Sequence, residues 1–251
     1  MGNRNHVFDA LVLRRWPIGD AHRGVGFLTR EQGPLTAIAH GAAQSKGRLK
    51  LLTTPIHRVI LKAYHDPVAD NWKVVDLEAL DLYGGLAEDL DRSATASLWS
   101  EILWKTQVAG QESEVYGLFA EAFGLLDKVT GVEVARLNLQ VLWRALELAG
   151  LAPDFSGCAE CGRPLAGLPV VLLASGGEPV CPSCAAGRGP ALSSRAVEAL
   201  LSTAVLSLEE GLLAPVDGSD AAFLTAEALG SWERALGTPL KSVRVFQGGL
   251  S

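Results

Sequence analysis

The sequence lacks the long apolar run that a membrane-spanning helix needs. Although 48% of its 251 residues are hydrophobic, its apolar stretches fall far short of the ~20 residues that cross a bilayer. The opening residues Met1–His6 carry no apolar segment of the secretory kind, and Gly2 is not followed by a myristoylation motif. We therefore expect a folded cytoplasmic protein without a membrane partner.

The sequence also lacks the common motifs of nucleotide-dependent and metal-dependent enzymes. It contains no Walker-type phosphate loop and no HExxH, and Gly24-Val-Gly26 is too short for a dinucleotide fingerprint. None of the five histidines is paired with a nucleophile in the sequence. We therefore predict a protein that is not an enzyme, and turnover in nuclease or ATPase assays would contradict this.

Cysteine is scarce, and its placement is informative. The only four cysteines form two CxxC pairs, Cys158-Ala-Glu-Cys161 and Cys181-Pro-Ser-Cys184, which nineteen residues separate. This spacing is typical of a four-thiolate zinc site. Two disulfides or a redox-active pair are the alternatives; the absence of a secretion signal disfavours the first, and the second needs only one pair.

Four protein ligands leave zinc no open position for water or substrate, so we predict one structural Zn²⁺ per chain and no catalytic metal. Glycine and proline punctuate the residues around the pairs, and only Leu168–Ala174 has the composition of a strand. The sequence therefore predicts a small zinc ribbon over residues 156–189, inserted between helical segments.

The net charge of −6 hides an uneven distribution. Residues 1–62 contain ten Lys or Arg against three Asp or Glu, so the remaining chain is strongly acidic. This asymmetry indicates a polyanion-binding N-terminal segment on an acidic body. An ordinary solvated basic face is the alternative interpretation.

Residues 1–79 have the short apolar runs and turn signals of an all-β domain. Five strands in so short a segment indicate a small closed barrel, of which the OB-fold is the common nucleic-acid-binding example. The predicted strands are Val7–Leu13, Gly24–Thr29, Leu35–Ala39, Pro55–Tyr64 and Trp72–Leu77. We expect Phe8, Phe27 and Trp72 in the barrel core.

Two predicted loops of this domain combine cations with an aromatic residue. Single-strand binders pair a cationic groove with aromatic platforms for bases, and Trp16 is either such a platform or a cap on the barrel. We expect three guanidiniums to surround Trp16 in the first loop, residues 14–23, and three cations to line the second, residues 41–50. The candidate DNA-binding residues are Arg14, Arg15, Trp16, Arg23, Lys46, Arg48 and Lys50.

The remaining segments, residues 80–155 and 190–251, show the 3.6-residue period of helices. Stripes of apolar residues predict helices over Ala94–Val108, Val115–Val129 and Val134–Leu148. After the ribbon, Ser193 or Ser194 is expected to cap one helix and Ser219 another that ends before Gly237. The fold class predicted is α+β: an N-terminal OB-fold barrel, then a helical bundle with the ribbon inserted.

Over most of its length, this sequence resembles the bacterial recombination-mediator family RecO. The resemblance rests on the stretches ALVLRRWPIGDAHR, FLTREQGPLTAIAHGAAQSKGRLKLLTTP, LWRALELAGLAPDFSGCAECGR and VCPSCA, in this order. It implies an OB-fold, a helical bundle and, as in many members, a zinc ribbon. It also implies that the basic residues of the two loops contact DNA and that the four cysteines hold zinc.

The same resemblance implies a function in recombinational DNA repair. A protein similar to this family binds single- and double-stranded DNA, anneals complementary strands and, with RecR, helps RecA replace single-strand-binding protein. The implied partners are DNA, RecR and single-strand-binding protein, with RecF and RecA acting indirectly, and the implied location is the nucleoid. A zinc-ribbon transcription or RNA-binding factor is the alternative function.

Overall fold

The computed structural model describes residues 4–44, 48–106, 110–173, 177–213 and 216–243, without the side chain of Arg48. The chain divides into two compact units, Met1–Val129 with Leu240–Ser251, and Thr130–Pro239. These boundaries are geometric. The functional domains expected at residues 1–79, 80–155 with 190–251, and 156–189 stay a prediction.

Five strands of the first unit close into a barrel in the order β1-β2-β3-β5-β4. The first and third strands each pair antiparallel with β2, whereas β3 and β5 run parallel. This order, with a short helix between β3 and β4, is that of an OB-fold, so the predicted barrel is confirmed. The elements are β1 (Asn5–Ile18), β2 (His22–Thr29), β3 (Gly33–Ala39), α1 (Arg48–Leu52), β4 (Arg58–Asp66) and β5 (Asn71–Asp81).

The barrel interior is filled by alternate residues of each strand. Phe8 and Phe27 are buried in the core, and Trp72 packs against it while only partly buried. Because side chains alternate between the two faces of a strand, residues between the core positions lie on the outer surface. Gly24 and Gly26 alternate with the buried Val25 and Phe27 in this way.

The first strand is longer than its sequence indicates. The predicted strand ends at Leu13 and the predicted loop begins at Arg14, but β1 continues to Ile18 and pairs with β2 as far as His22. Its ladder to β4 ends at Leu11. Pro17 has no N–H to donate, and a proline is tolerated where only one side of a strand is paired.

Two helices complete the first unit, α2 (Leu90–Lys105) and α3 (Glu112–Leu126). A short 3-10 helix, Gly84–Ala87, precedes them. Asp89 caps α2 by accepting a hydrogen bond from the backbone N–H of Arg92 at 2.9 Å. Both predicted helices exist, but each begins three or four residues earlier than its apolar stripe because mainly polar residues form the first turn.

The second unit contains helices and a small antiparallel sheet of order β7-β6-β8. Within it, the indole N–H of Trp143 on α4 donates to the carbonyl oxygen of Leu224 on α8 at 3.2 Å. The elements are α4 (Val132–Leu148), β6 (Val170–Leu172), β7 (Pro179–Val180), α5 (Pro182–Ala185), β8 (Ala191–Leu192), α6 (Ser194–Ser202), α7 (Leu208–Gly211) and α8 (Gly218–Leu236).

The predicted caps of this unit have different outcomes. Ser193 is the N-cap of α6 and accepts from the backbone N–H of Ala196 at 3.1 Å, as expected. Ser219 does not cap α8, because the N-cap position is two residues earlier, at Asp217, and the helix begins at Gly218. Gly237 ends α8 in the left-handed conformation, at a φ of 62°.

No helix in the described part of the chain has the length and apolar character to span a bilayer.

Candidate nucleic-acid interface and metal site

A cation–aromatic stack lies on the outer face of the barrel. Arg14 and Trp16 are on the same face of β1, opposite Gly26 and Gly24 of β2. The guanidinium carbon of Arg14 lies 5.0 Å from the ring centroid of Trp16 and 4.8 Å from that of Trp104 on α2. We call these three side chains the Arg14 stack.

The two glycines make room for this stack. A Cβ on Gly24 would lie 2.2 Å from the indole of Trp16, and a Cβ on Gly26 would lie 2.2 Å from that of Trp104. Both indoles are half-buried. Trp16 therefore lies over the outside of β2 and keeps part of its surface in solvent, which is compatible with a base-stacking platform.

The other predicted arginines are not arranged around Trp16. Arg15 lies opposite Val25 of the core, and its guanidinium donates to the Thr54 hydroxyl at 3.1 Å. Arg23 pairs with Pro17 and is half-buried on that same face of the strands. The expected ring of three guanidiniums around Trp16 is therefore wrong. Because β1 continues as a strand, its successive side chains alternate between faces.

The second predicted loop is only partly described. Lys46 and the side chain of Arg48 lie outside the described residues. Lys50 lies in α1 and is exposed. Trp104, which completes the Arg14 stack, was not among the candidates, because only the folded chain brings α2 onto β2.

Several basic residues of the N-terminal segment are held by carboxylates. Arg58 on β4 donates to Asp9 on β1 at 2.7 and 3.0 Å, and Arg30 pairs with the same carboxylate at 3.3 Å. The hydroxyl of Tyr116 on α3 also donates to Asp9. The excess of positive charge counted from the sequence therefore overstates what the barrel offers a polyanion.

This carboxylate is held in its ionised form. Burial alone would raise the pKa of Asp9, but hydrogen bonds from Arg58 and Tyr116, with the charges of Arg58 and Arg30, outweigh burial and lower it below its ordinary value. On the neighbouring strands Lys62 is paired with Glu78 and Asp76. These groups stabilise the barrel and its contact with α3.

The four cysteines of the second unit converge on one point. Their sulfur atoms all lie within 4.8 Å of one another, and the Sγ atoms of Cys161 and Cys181 are 3.9 Å apart. All four are free thiols. The backbone N–H of Cys181 donates to Cys158 Sγ at 3.3 Å and lowers the pKa of that thiol, favouring the thiolate that metals bind.

Local turns bring each pair of cysteines together. In the first, the backbone N–H of Gly162 donates to the Cys158 carbonyl at 2.8 Å, and Gly162 adopts a φ of 71° that other residues rarely reach. In the second, Cys181 precedes the single turn of α5. The thiols therefore form a preassembled four-sulfur site, which fits a tetrahedral metal and gives no sign of a disulfide.

Arg188 supports the second turn. Its guanidinium donates to the carbonyl oxygens of Cys184 at 2.6 Å and Ala185 at 3.0 Å, and it pairs with Glu160 of the first turn. Hydrogen bonds of this kind fix the orientation of ligands around a metal.

Comparison with known protein families finds two matching models. The model described as "Recombination protein O N terminal" matches residues 3–67, which contain the barrel strands β1–β4. The model described as "Recombination protein O C terminal" matches residues 87–209, which contain helices α2–α6 and the four cysteines.

Curated relatives agree with these matches. The chain is 28% identical to the DNA repair protein RecO of Syntrophotalea carbinolica over 242 residues, covering 96% of this chain and 81% of the relative. It is 32% identical to the DNA repair protein RecO of Myxococcus xanthus over 212 residues, covering 83% of each chain. The corresponding protein of Anaeromyxobacter dehalogenans is 30% identical over 205 residues, covering 81% of this chain and 79% of the relative.

Proposed function

Because this chain belongs to the RecO family of DNA repair proteins, we propose that it is a DNA-binding recombination mediator. It binds single- and double-stranded DNA, anneals complementary strands and, with RecR, helps load RecA onto DNA coated with single-strand-binding protein. The observation that carries this proposal is the Arg14 stack on the outer face of an OB-like barrel.

The proposed mechanism needs no bond-making. Lys and Arg side chains neutralise phosphates and release their counterions, so binding is tolerant of sequence and falls steeply with salt. Two strands held on one cationic surface repel each other less, which favours annealing. Trp16 offers the solvent-facing part of its half-buried ring to unstacked bases, as aromatic platforms of single-strand binders do. We propose the nucleoid, in the cytoplasm, as the place of action, because the DNA substrate lies there.

A matched pair of lysine variants tests the DNA contact of the barrel. Lys50→Ala removes an exposed cation of the proposed interface, and Lys128→Ala removes an exposed cation just after α3. On single strands, Lys50→Ala is expected to reduce the slope of log K against log salt by about 0.7, the contribution of one phosphate contact. An equal slope in both variants would contradict a DNA contact at Lys50.

The proposed protein partners are tested with the whole chain. Purified protein is expected to retain RecR and single-strand-binding protein in a pull-down and to accelerate annealing of complementary oligonucleotides. RecF and RecA are expected to join only through these partners and DNA. Competition between DNA and RNA oligonucleotides addresses the alternative: a strong preference for RNA or for one DNA sequence would indicate a zinc-ribbon transcription or RNA-binding factor.

We propose that the metal of the four-cysteine site is zinc, bound for a structural purpose. Zn–S bonds of about 2.3 Å in a tetrahedron place sulfur atoms about 3.8 Å apart, close to the 3.9 Å between the Sγ atoms of Cys161 and Cys181. The four thiolates leave no position for a substrate. Elemental analysis of the purified protein is expected to give about one zinc per chain, and a stoichiometric excess of another metal would contradict the assignment.

A further inference from the structure

A cavity of about 410 Å³ lies beside the Arg14 stack, within the first unit. Strand β1 contributes Arg14 and Arg15 to its lining, and α2 contributes Trp104. Lys241 also lines it and comes from the C-terminal segment, which belongs to the first unit. Of the candidate residues whose side chains the structure describes, only the two arginines belong to it. The cavity therefore extends the proposed DNA surface onto α2 and the C-terminal segment.

The lining of this cavity is strongly cationic. Among the described residues, the lining contains four cationic side chains, Arg14, Arg15, Lys105 and Lys241, and one carboxylate, Glu101. The carboxylate of Glu101 already has hydrogen-bond donors within the protein, because it accepts from Lys105 Nζ at 2.8 Å and from the backbone N–H of Lys241 at 3.0 Å.

These hydrogen bonds keep the Glu101 carboxylate ionised and bound to groups of the protein itself. Burial alone would raise its pKa, but the hydrogen bonds from Lys105 and from the backbone N–H groups of Ser242 and Lys241 outweigh burial and hold the pKa at about 2. Glu101 thus orders the C-terminal turn and places Lys241 at the cavity. An anion in the cavity would meet an excess of positive charge.

A buried hydroxyl lines the same space. Ser100 is only 7% exposed, and its Oγ has no hydrogen-bond partner in the part of the chain that the structure describes. A buried polar group without a partner is costly and calls for a ligand, an ion or water. The same lining includes Ser97, the apolar side chains of Leu13, Pro55 and Ile56, and the indole of Trp104.

We propose that this cavity binds one unstacked nucleotide of single-stranded DNA, and we call it the nucleotide cavity. The phosphate lies against the exposed Arg14, Arg15 and Lys241, and the base lies against Trp104 with a polar edge toward the Ser100 hydroxyl. This inference rests on the proposed function and adds to it a named contact site, in which α2 and Lys241 join two arginines of the first predicted loop.

Its size and composition favour a single strand over a duplex. A volume of about 410 Å³ lies near the lower end of small-ligand sites, roughly 300–1,000 Å³, and has no room for a base pair. A base within a duplex is stacked on both sides and cannot enter, whereas bases of a single strand can be splayed out and stacked on aromatic side chains. Loss of the cavity is therefore expected to weaken single-strand binding more than duplex binding.

Two substitutions separate the phosphate contact from the base contact. Lys241→Ala is compared with Lys128→Ala, which removes the same charge elsewhere on the first unit, and Trp104→Leu is compared with Trp72→Leu, a half-buried indole of the barrel. Each is measured by fluorescence anisotropy against a thymidine oligomer and against an abasic oligomer of equal length. Ser100→Ala is a third variant, in which removal of an unpaired hydroxyl is not expected to unfold the protein.

The two contacts predict different patterns. Lys241→Ala is expected to weaken both oligomers alike and to reduce the salt slope by about 0.7. Trp104→Leu is expected to weaken the thymidine oligomer by about 5-fold or more, as loss of a base-stacking aromatic does. It is expected to weaken the abasic oligomer less, since there only the stacking support of Arg14 is lost. Ser100→Ala is expected to weaken only the thymidine oligomer.

Other results would overturn the inference. If Lys241→Ala binds both oligomers as Lys128→Ala does, and Trp104→Leu keeps the wild-type preference for the thymidine oligomer, the cavity does not contact DNA. DNA binding by the wild-type protein would still support the proposed function. If the same variants bind DNA normally but no longer bind an acidic peptide, the cavity is the binding site of a peptide partner. A wild-type protein that binds neither oligomer would contradict the proposed function itself.

Discussion

Substitution of Gly26 by alanine tests the close packing of α2 against the barrel. The added Cβ would lie 2.2 Å from the Trp104 ring, so the ring or the helix that carries it must shift until this contact reaches an ordinary 3.4 Å or more. The backbone of Gly26 does not have a positive φ, so the substitution introduces no conformational strain of its own. We expect overpacking to destabilise the first unit by about 1–3 kcal/mol.

A double-mutant cycle isolates this contact. In a Trp104→Ala background the obstructing ring is absent, so Gly26→Ala is expected to cost much less than in the wild-type background, giving a coupling of about 1–3 kcal/mol. Gly117→Ala is the control: Gly117 lies in α3, nothing is within 4 Å of its Cβ position, and alanine in a helix is about 0.5–1 kcal/mol more favourable than glycine.

Urea denaturation followed by circular dichroism measures each free energy of unfolding. The transition that shifts with Gly117→Ala identifies the unfolding of the first unit, because α3 belongs to that unit. If Gly26→Ala costs as much with Trp104→Ala as without it, the placement of α2 over Gly26 is wrong. The Arg14 stack and the nucleotide cavity would lose their structural basis with it.

Three further substitutions test the two units. Asp9→Asn is expected to destabilise the first unit by about 1.5–3 kcal/mol at neutral pH, the range for a hydrogen bond to a charged group. Because the pKa of Asp9 is lowered on folding, this difference in stability should be present above about pH 4 and disappear as the pH falls further. A difference that does not change with pH would refute this. Cys158→Ser is expected to remove the bound zinc and lower the melting temperature, with DNA binding by the barrel retained; full zinc content would exclude Cys158 as a ligand. Ser193→Ala removes the α6 cap and is expected to cost about 1 kcal/mol in urea denaturation, and an unchanged midpoint would show that this cap contributes nothing.

Local patterns in the sequence predicted the barrel and the metal site well. The order of apolar runs and turns was sufficient for five strands because alternate apolar residues of the strands fill the barrel core. The four cysteines were equally informative, since two CxxC turns bring their own ligands together. Both features depend on residues that are near in sequence.

The failures arose where distant residues decide the structure. Arg14 and Pro17 look like a loop, but pairing with β2 extends the strand through them. Trp104 lies ninety residues from Arg14 in sequence, and the local sign of their contact was the pair of glycines at alternate positions of β2, Gly24 and Gly26. Alternating glycines in a strand indicate a close approach by another element, but they do not say which one.

The ion pairs around Asp9 also depend on tertiary structure. A charge count treats Arg58 and Arg30 as free cations, whereas both lie against one carboxylate. Charge asymmetry in a sequence therefore indicates the sign of the charge on a binding partner better than it identifies the residues that contact that partner.

Affinity for single-stranded oligonucleotides as a function of salt tests the central claim most directly. The purified protein is expected to bind a thymidine oligomer tightly at low ionic strength, with log K falling linearly as log salt rises. A protein that ignores the oligomer at low ionic strength, or binds it with no dependence on salt, would contradict a phosphate-binding barrel.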